Sequence, residues 1–291
     1  MKKPDIYYSD TILVPTDFSE TCSNAISHAI KLALSAGFKV CILHVINKET
    51  KAFLKKKSLG VDYVEKRLRE YKYYYEKKYH VQVETKTVEG SIFEAINQVA
   101  EEIKANLMVL GTHGKKGLQH VFGSYALRVV IDSPVPVIVV QKRSLKQGYN
   151  NIVFPISNEL EPRQKVAWAA FMSKQFNSRI HLFQAYETDE VLNNRLKIIT
   201  AQITKVLKEK EIPYNLVLSD KPGNFSEQVI SYAVKEHADL IMIMTEPNVD
   251  TPGFSFSKWS ESLMFNQAQL PVMCINPVQL GKVYYEWVML A

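Results

Sequence analysis

Four glycines fall within thirteen residues in the stretch Val-Leu-Gly-Thr-His-Gly-Lys-Lys-Gly-Leu-Gln-His-Val-Phe-Gly-Ser, residues 109–124. Gly111, Gly114, Gly117 and Gly123 follow the apolar run Leu107–Leu110 and lead into a helical pattern that starts at about Ser124. Glycines so placed remove Cβ atoms where backbone would approach an anion, and they allow the positive φ angles that aim successive N–H groups at one point. Ser124 would sit at a helix N-terminus, where unpaired N–H groups and the dipole favour negative charge. The chemistry implied is phosphate binding by backbone. The alternative is a long connection in which the glycines only turn the chain.

The flanking chain consists of strands alternating with helices, and it does so twice. Thr11-Ile-Leu-Val-Pro-Thr-Asp lines up with Asn151-Ile-Val-Phe-Pro-Ile-Ser, and Glu89-Gly-Ser-Ile-Phe-Glu with Pro222-Gly-Asn-Phe-Ser-Glu. Two long gapless registers in the same order argue for a duplication. In the first copy, apolar residues from Cys22 to Ala33 recur at three- and four-residue spacings, and Gly37 provides a C-terminal cap. Val61, Val64, Leu68, Tyr71 and Tyr75 mark the buried stripe of a long helix, whose tyrosines among lysines read as core rather than as a base-stacking platform. Ser91 and Glu94 form a capping box for the next helix. Strands are expected at 39–46, 81–88 and 135–140 in this copy and at 272–275 in the second. Such a pattern gives an α/β fold with a parallel sheet covered on both faces. Its ligands bind at the carboxyl ends of the strands where strand order reverses. Pro15-Thr16-Asp17 and the glycine loop both fall there.

Composition bounds the rest. Of 291 residues, 46% are hydrophobic and 23% charged, a globular profile. No signal-peptide pattern and no run of eighteen apolar residues occurs, so a cytoplasmic protein without a membrane partner is expected. Cys22, Cys41 and Cys274 lack metal or disulfide spacing and read as buried hydrophobes. Residues 1–145 hold 22 basic against 15 acidic side chains, and the remainder 14 against 15. The basic excess thus lies in the half that owns the glycine loop, which suits an anionic ligand, although much of it comes from 51–78 and fits a solvated helix face equally.

Val14-Pro-Thr-Asp-Phe-Ser-Glu, Leu43-His-Val45 and Gly111-Thr-His-Gly114…Gly123-Ser124 together resemble the universal stress protein family. The resemblance covers the first copy and, in skeleton, the second. It implies two tandem Rossmann-like domains of the adenine nucleotide alpha hydrolase type, packed as a pseudo-dimer within the chain, with a homodimer as a further possibility. The boundaries would be 1–145, 146–280 and a tail at 281–291. The family motif Gly-x2-Gly-x9-Gly-(Ser/Thr) binds ATP phosphates; here eight residues separate Gly114 from Gly123, so the loop is shorter by one. The resemblance implies that Pro15, Thr16 and Val45 line an adenine slot, with backbone offered by Leu110 and Gly111. Phosphates would be held by Gly114, Gly117, Gly123, Ser124 and the N–H of Tyr125. Asp17 would contact the ribose or a magnesium-bound water, or else cap the first helix. His113 would donate to phosphate or to its own loop, and Lys115 and Lys116 are candidate counter-charges.

The P-loop, dinucleotide and nucleophile-elbow signatures are absent from the sequence. ATP binding, with magnesium as an accessory, is therefore expected rather than turnover; a scaffold without nucleotide and a slow ATP hydrolase are the alternatives, and no nucleic-acid partner is expected. In the second copy Asp17 is replaced by Ser157, Thr16 by Ile156 and the first glycine pair by Met244-Thr-Glu-Pro247. That domain is expected not to bind ATP.

Overall fold

A computed structural model of the chain describes residues 9–112, 121–158, 162–219, 221–247, 254–255 and 258–277. They divide into two compact units that part between Ser144 and Leu145.

The first unit runs β1 (Thr11–Pro15), α1 (Glu20–Ala36), β2 (Lys39–Ile46), α2 (Lys48–Lys56), α3 (Asp62–Tyr79), β3 (Val83–Glu89), α4 (Ile92–Glu102), β4 (Leu107–Gly111), α5 (Val121–Ile131) and β5 (Val137–Val140). Its strands lie in the order β3-β2-β1-β4-β5, all parallel. The chain steps outward from β1 to β3 and then returns to place β4 on the other side of β1, which makes the β1/β4 boundary the point of reversal. Ile12–Val14, Val40–Leu43 and Leu107–Val109 are almost wholly buried, as strands covered on both faces must be.

α1 forms where the apolar spacing places it. Ser19 caps it by accepting a hydrogen bond from the Cys22 N–H, and Gly37, at φ 71°, ends it in the left-handed conformation. Asn24 of α1 donates to the carbonyls of Gln141 and Arg143, and the Nε2–H of the fully buried His28 donates to the Arg143 carbonyl at 3.0 Å. These bonds tie the helix to the chain just after β5. α1 also lies tight on β4: a Cβ added at Gly111 would stand 2.9 Å from the Thr21 carbonyl oxygen and 3.1 Å from Cys22 Cα. Only glycine lets that strand end pass the first turn of the helix.

Several expected details change. Ser91 stands at the N-cap of α4, but its side chain makes no capping bond; its backbone carbonyl accepts from Ala95 instead. β5 begins at Val137 rather than Val135, because Pro136 has no N–H for the ladder and Ser133 Oγ holds Val135 in a turn. β3 begins at Val83 and extends to Glu89. Val61 and Tyr71 are not part of the fully buried stripe of α3, which consists of Val64, Leu68 and Tyr75. α2, with the single buried side chain Leu54, is an extra helix that the long periodic stretch concealed.

The second unit repeats the plan: β6 (Asn151–Ile156), α6 (Pro162–Phe176), β7 (Arg179–Gln184), α7 (Glu190–Glu209), β8 (Tyr214–Leu218), α8 (Phe225–Lys235), β9 (Leu240–Met244), β10 (Glu246–Pro247), β11 (Phe254–Ser255), α9 (Lys258–Met264) and β12 (Val272–Ile275). Its parallel order is β12-β9-β6-β7-β8, the first unit's order traced again. All three cysteines are buried free thiols. The proposed tail at 281–291 lies outside the described residues. Among the described residues no helix is long and apolar enough to cross a membrane.

Two outcomes follow from the way α1 is held. Burial pushes the His28 imidazole down to about 4, so the folded unit binds fewer protons than the unfolded chain below the usual histidine value near 6.5. Stability contributed by neutral His28 is complete above that value and is lost as pH falls, by about 3 kcal/mol at pH 4. Urea unfolding at a series of pH values checks this: His28→Gln should flatten the acid limb, and an unchanged slope would refute the assignment. Gly111→Ala should cost about 1–3 kcal/mol through overpacking, read as a lowered midpoint of unfolding.

Candidate functional site

The carboxyl ends of β1, β2 and β4 meet where strand order reverses, and each delivers residues of a different kind. β1 stops at Pro15, after which Thr16 still donates its N–H to the Leu43 carbonyl of β2 at 2.7 Å. Asp17, Phe18 and Ser19 then make a tight turn into α1. Thr16 Oγ1 accepts from the Phe18 N–H at 3.0 Å, and Asp17 Oδ1 accepts from the Ser19 N–H at 2.8 Å. Between these two bonds Phe18 is held at φ 66°, a conformation bulky side chains rarely adopt. The capping role considered for Asp17 belongs to Ser19; the exposed Asp17 shapes the turn and keeps its carboxylate at the rim.

The turn is pinned from beneath by His44 of β2. Its Nδ1–H donates to the Thr16 carbonyl at 2.8 Å, and since a carbonyl can only accept, that nitrogen carries the proton. Nε2 then accepts from the Thr50 hydroxyl of α2 at 3.2 Å. Burial pushes the imidazole below its ordinary value, against the opposing effects of the Thr16 carbonyl and the Asp17 charge. His44 is therefore a neutral brace at physiological pH. The Phe18 ring stacks on it with centroids 4.7 Å apart, and the Arg67 guanidinium of α3 lies 5.5 Å from the Phe18 ring centroid.

These elements enclose a cavity of about 620 Å³, in the range of small-molecule sites. Pro15, Thr16, Asp17, Val45, Leu110 and Gly111, six residues singled out from the sequence, line it together. His113, Gly114 and Gly117, with Lys115 and Lys116, lie outside the described residues. Gly123, Ser124 and Tyr125 belong to α5, which starts at Val121, so Gly123 and Ser124 fall within its first turn rather than at its threshold. First-turn N–H groups have no acceptor inside their own helix, which is what an anion at that end would use. The missing Cβ of Gly111 accommodates α1, a second reason for glycine at this position.

The sequence reading missed most of the wall. Phe18 and His44 support the rim, while Phe53 and Leu54 of α2, Tyr63 of α3 and Ile92 of α4 supply apolar surface. A histidine in the middle of an apolar strand was the available signal for His44; nothing local marks the others as lining. Cys22, also in the wall, has its thiol pushed up to about 12, first by burial and then by the Asp17 charge, so it stays protonated.

In the second unit the corresponding positions are built differently. Lys165, which takes the place of Ala25 in the repeat register, is fully buried, and its ammonium donates to the Pro155 carbonyl at 2.7 Å at the carboxyl end of β6. It also stands 4.4 Å from the centre of the Phe154 ring. Beyond β9, Glu246–Pro247 pairs antiparallel with Phe254–Ser255, so a short ribbon follows this strand.

Comparison with known proteins agrees with this architecture. The universal stress protein family model matches residues 9–141. Universal stress protein MJ0531 of Methanocaldococcus jannaschii is 32% identical over 139 residues, 45% of this chain and 81% of the relative. Universal stress protein MJ0577 of the same organism is 28% identical over 157 residues, 46% of this chain and 95% of the relative. Among solved structures, a universal stress protein from Archaeoglobus fulgidus shares the fold over 93% of this chain and 99% of its own, with a TM-score of 0.74 at 16% identity. With a model matched across the first unit and a relative covered over most of its length at this identity, the chain belongs to the universal stress protein family.

Proposed function

We propose that the first unit binds an adenine nucleotide, ATP with Mg²⁺ as an accessory, and reports nucleotide state in a cytoplasmic stress response. The observation that carries this reading is the cavity at the strand reversal that gathers Pro15, Thr16, Asp17, Val45, Leu110 and Gly111, with the start of α5 following the glycine loop in sequence. Thr16 and Val45 would flank the base, and Asp17 would accept from ribose hydroxyls or from a magnesium-bound water. The backbone around Gly123 and Ser124 would receive phosphate, with His113, Gly114, Gly117 and the Tyr125 N–H completing the cradle. Mg²⁺, when bound, neutralises phosphate charge.

Binding without turnover is the favoured form of this reading. Two described groups in the wall are committed: His44 bonds through both nitrogens, and Cys22 remains a neutral thiol. The second unit is proposed to be without nucleotide, since it has Ser157 and Ile156 where the first has Asp17 and Thr16, and a buried lysine at its strand ends. The tandem arrangement belongs to the same proposal. It is supported by the internal repeat and by single-unit relatives that use 81% and 95% of their own length to match less than half of this chain.

Mass spectrometry of small molecules released from the denatured purified protein should detect an adenine nucleotide. By calorimetry, Asp17→Ala should weaken ATP binding about tenfold or more, the loss expected for a charged hydrogen-bonding partner, and Gly123→Val should weaken it similarly. Full-strength binding in both variants would falsify the assignment, and magnesium-dependent release of ADP would replace binding with hydrolysis.

A further inference from the structure

The two copies of the repeat differ in the length of the connection that follows their second strand. Fifteen residues, 47–61, separate β2 from α3, whereas five, 185–189, separate β7 from α7. The fold does not need the extra segment, because the second unit builds the same strand order without it. Insertions into one copy of a repeat are where surface functions are added.

That segment is α2 and the connection to α3, and it has a distinct chemistry. Residues 48–57 contain five lysines and one glutamate. Every residue from Lys51 to Asp62 is exposed except Leu54, which anchors the helix to the body. Lys51 pairs with Glu89 at 2.6 Å, whereas Lys48, Lys55, Lys56 and Lys57 take part in no ion pair among the described residues. The acidic groups on the flanking turns are Glu49, Asp62 and Glu65, the last of which faces Arg69 at 3.6 Å.

Directly after the lysines the chain presents apolar side chains to water. Leu59 is 37% and Val61 46% exposed, and Phe53 on the flank of α2 is 45% exposed. The connection is locked: Ser58 adopts φ 54°, Leu59 N–H donates to the Leu54 carbonyl at 2.9 Å, and Val64 N–H donates to the Val61 carbonyl at 2.9 Å. A hydrogen-bonded turn therefore carries an apolar tip bordered by unpaired ammonium groups.

We propose that this tip is a docking element for an anionic lipid surface, with Leu59 and Val61 entering the headgroup–acyl boundary and Lys55, Lys56 and Lys57 meeting lipid phosphates. Lysines near such a surface act additively, and apolar side chains at the boundary add burial that a soluble polyanion cannot offer. Nucleic acid would satisfy the lysines alone and leave the tip in water. The expectation of no membrane partner considered only spanning segments, and peripheral docking requires none. None of the five residues named for docking lines the cavity, so the proposal stands independently of nucleotide binding.

Co-sedimentation of the full chain with phosphatidylcholine vesicles, with and without phosphatidylglycerol, tests it. The wild type should bind the anionic vesicles and ignore the neutral ones, with affinity falling as salt is added. Charge reversal of Lys55, Lys56 and Lys57 to Glu should lower partitioning about a hundredfold, and Leu59→Asp with Val61→Asp about tenfold, at unchanged thermal midpoints. A Leu59→Trp reporter should shift its emission to the blue on anionic vesicles. The proposal is overturned if anionic vesicles do not bind, if the reporter does not shift, or if the Asp pair leaves partitioning intact. Equal capture of a single-stranded RNA, insensitive to the Asp pair, would also overturn it, by making the surface a general polyanion site.

Discussion

The hydrogen bond from His44 Nδ1 to the Thr16 carbonyl holds the end of β1 against β2 where the first unit opens its cavity. Everything at the rim depends on it. With that carbonyl fixed, the Thr16 hydroxyl and the Asp17 carboxylate accept from the next two turn N–H groups, Phe18 is held in a left-handed conformation, and its ring closes over the imidazole that began the chain of contacts. Because His44 is buried, the imidazole stays neutral and its tautomer is set by the carbonyl. A polar brace in a strand that is otherwise apolar trades some burial for a fixed geometry, which suits a site that must be shaped before a ligand arrives.

The repeated strand order allows the two units to be compared as variants of one plan. Both follow the same order of parallel strands, so the hydrophobic pattern that specifies the sheet has been kept in both. Their strand ends have separated. The first has small and polar residues around an open cavity, while the second brings a fully buried lysine to the corresponding strand end. A buried ammonium must be satisfied locally, and the Pro155 carbonyl and the Phe154 ring are two of the groups that receive it. The residues that make a fold and those that make a site are thus separable within one chain.

Gly111 shows why a glycine motif is not self-explanatory. Its position within the motif suggested a backbone approach to an anion, and its surroundings reveal a backbone approach to another helix. The two readings are not distinguishable from spacing, because both require a missing Cβ. They differ only in what stands across the gap, here the Thr21 carbonyl of α1. The closeness of α1 has a functional consequence, since it sets the first turn of that helix, with Cys22, against the cavity wall.

The sequence by itself determined the α/β class, the internal repeat, the parallel strands, the burial of all three cysteines and six residues of the cavity wall. These are legible because burial on both faces imposes continuous apolar runs, and because helix ends need particular residue types such as Gly37. Only the tertiary structure decided that Ser19 rather than Asp17 caps α1, that His44 braces the turn, and that Phe53, Tyr63 and Ile92 share a wall. The cap is settled by the local geometry of one turn, and the others depend on which distant segments meet across the sheet. Local periodicity reports which face of an element is covered, but it carries no record of what covers it.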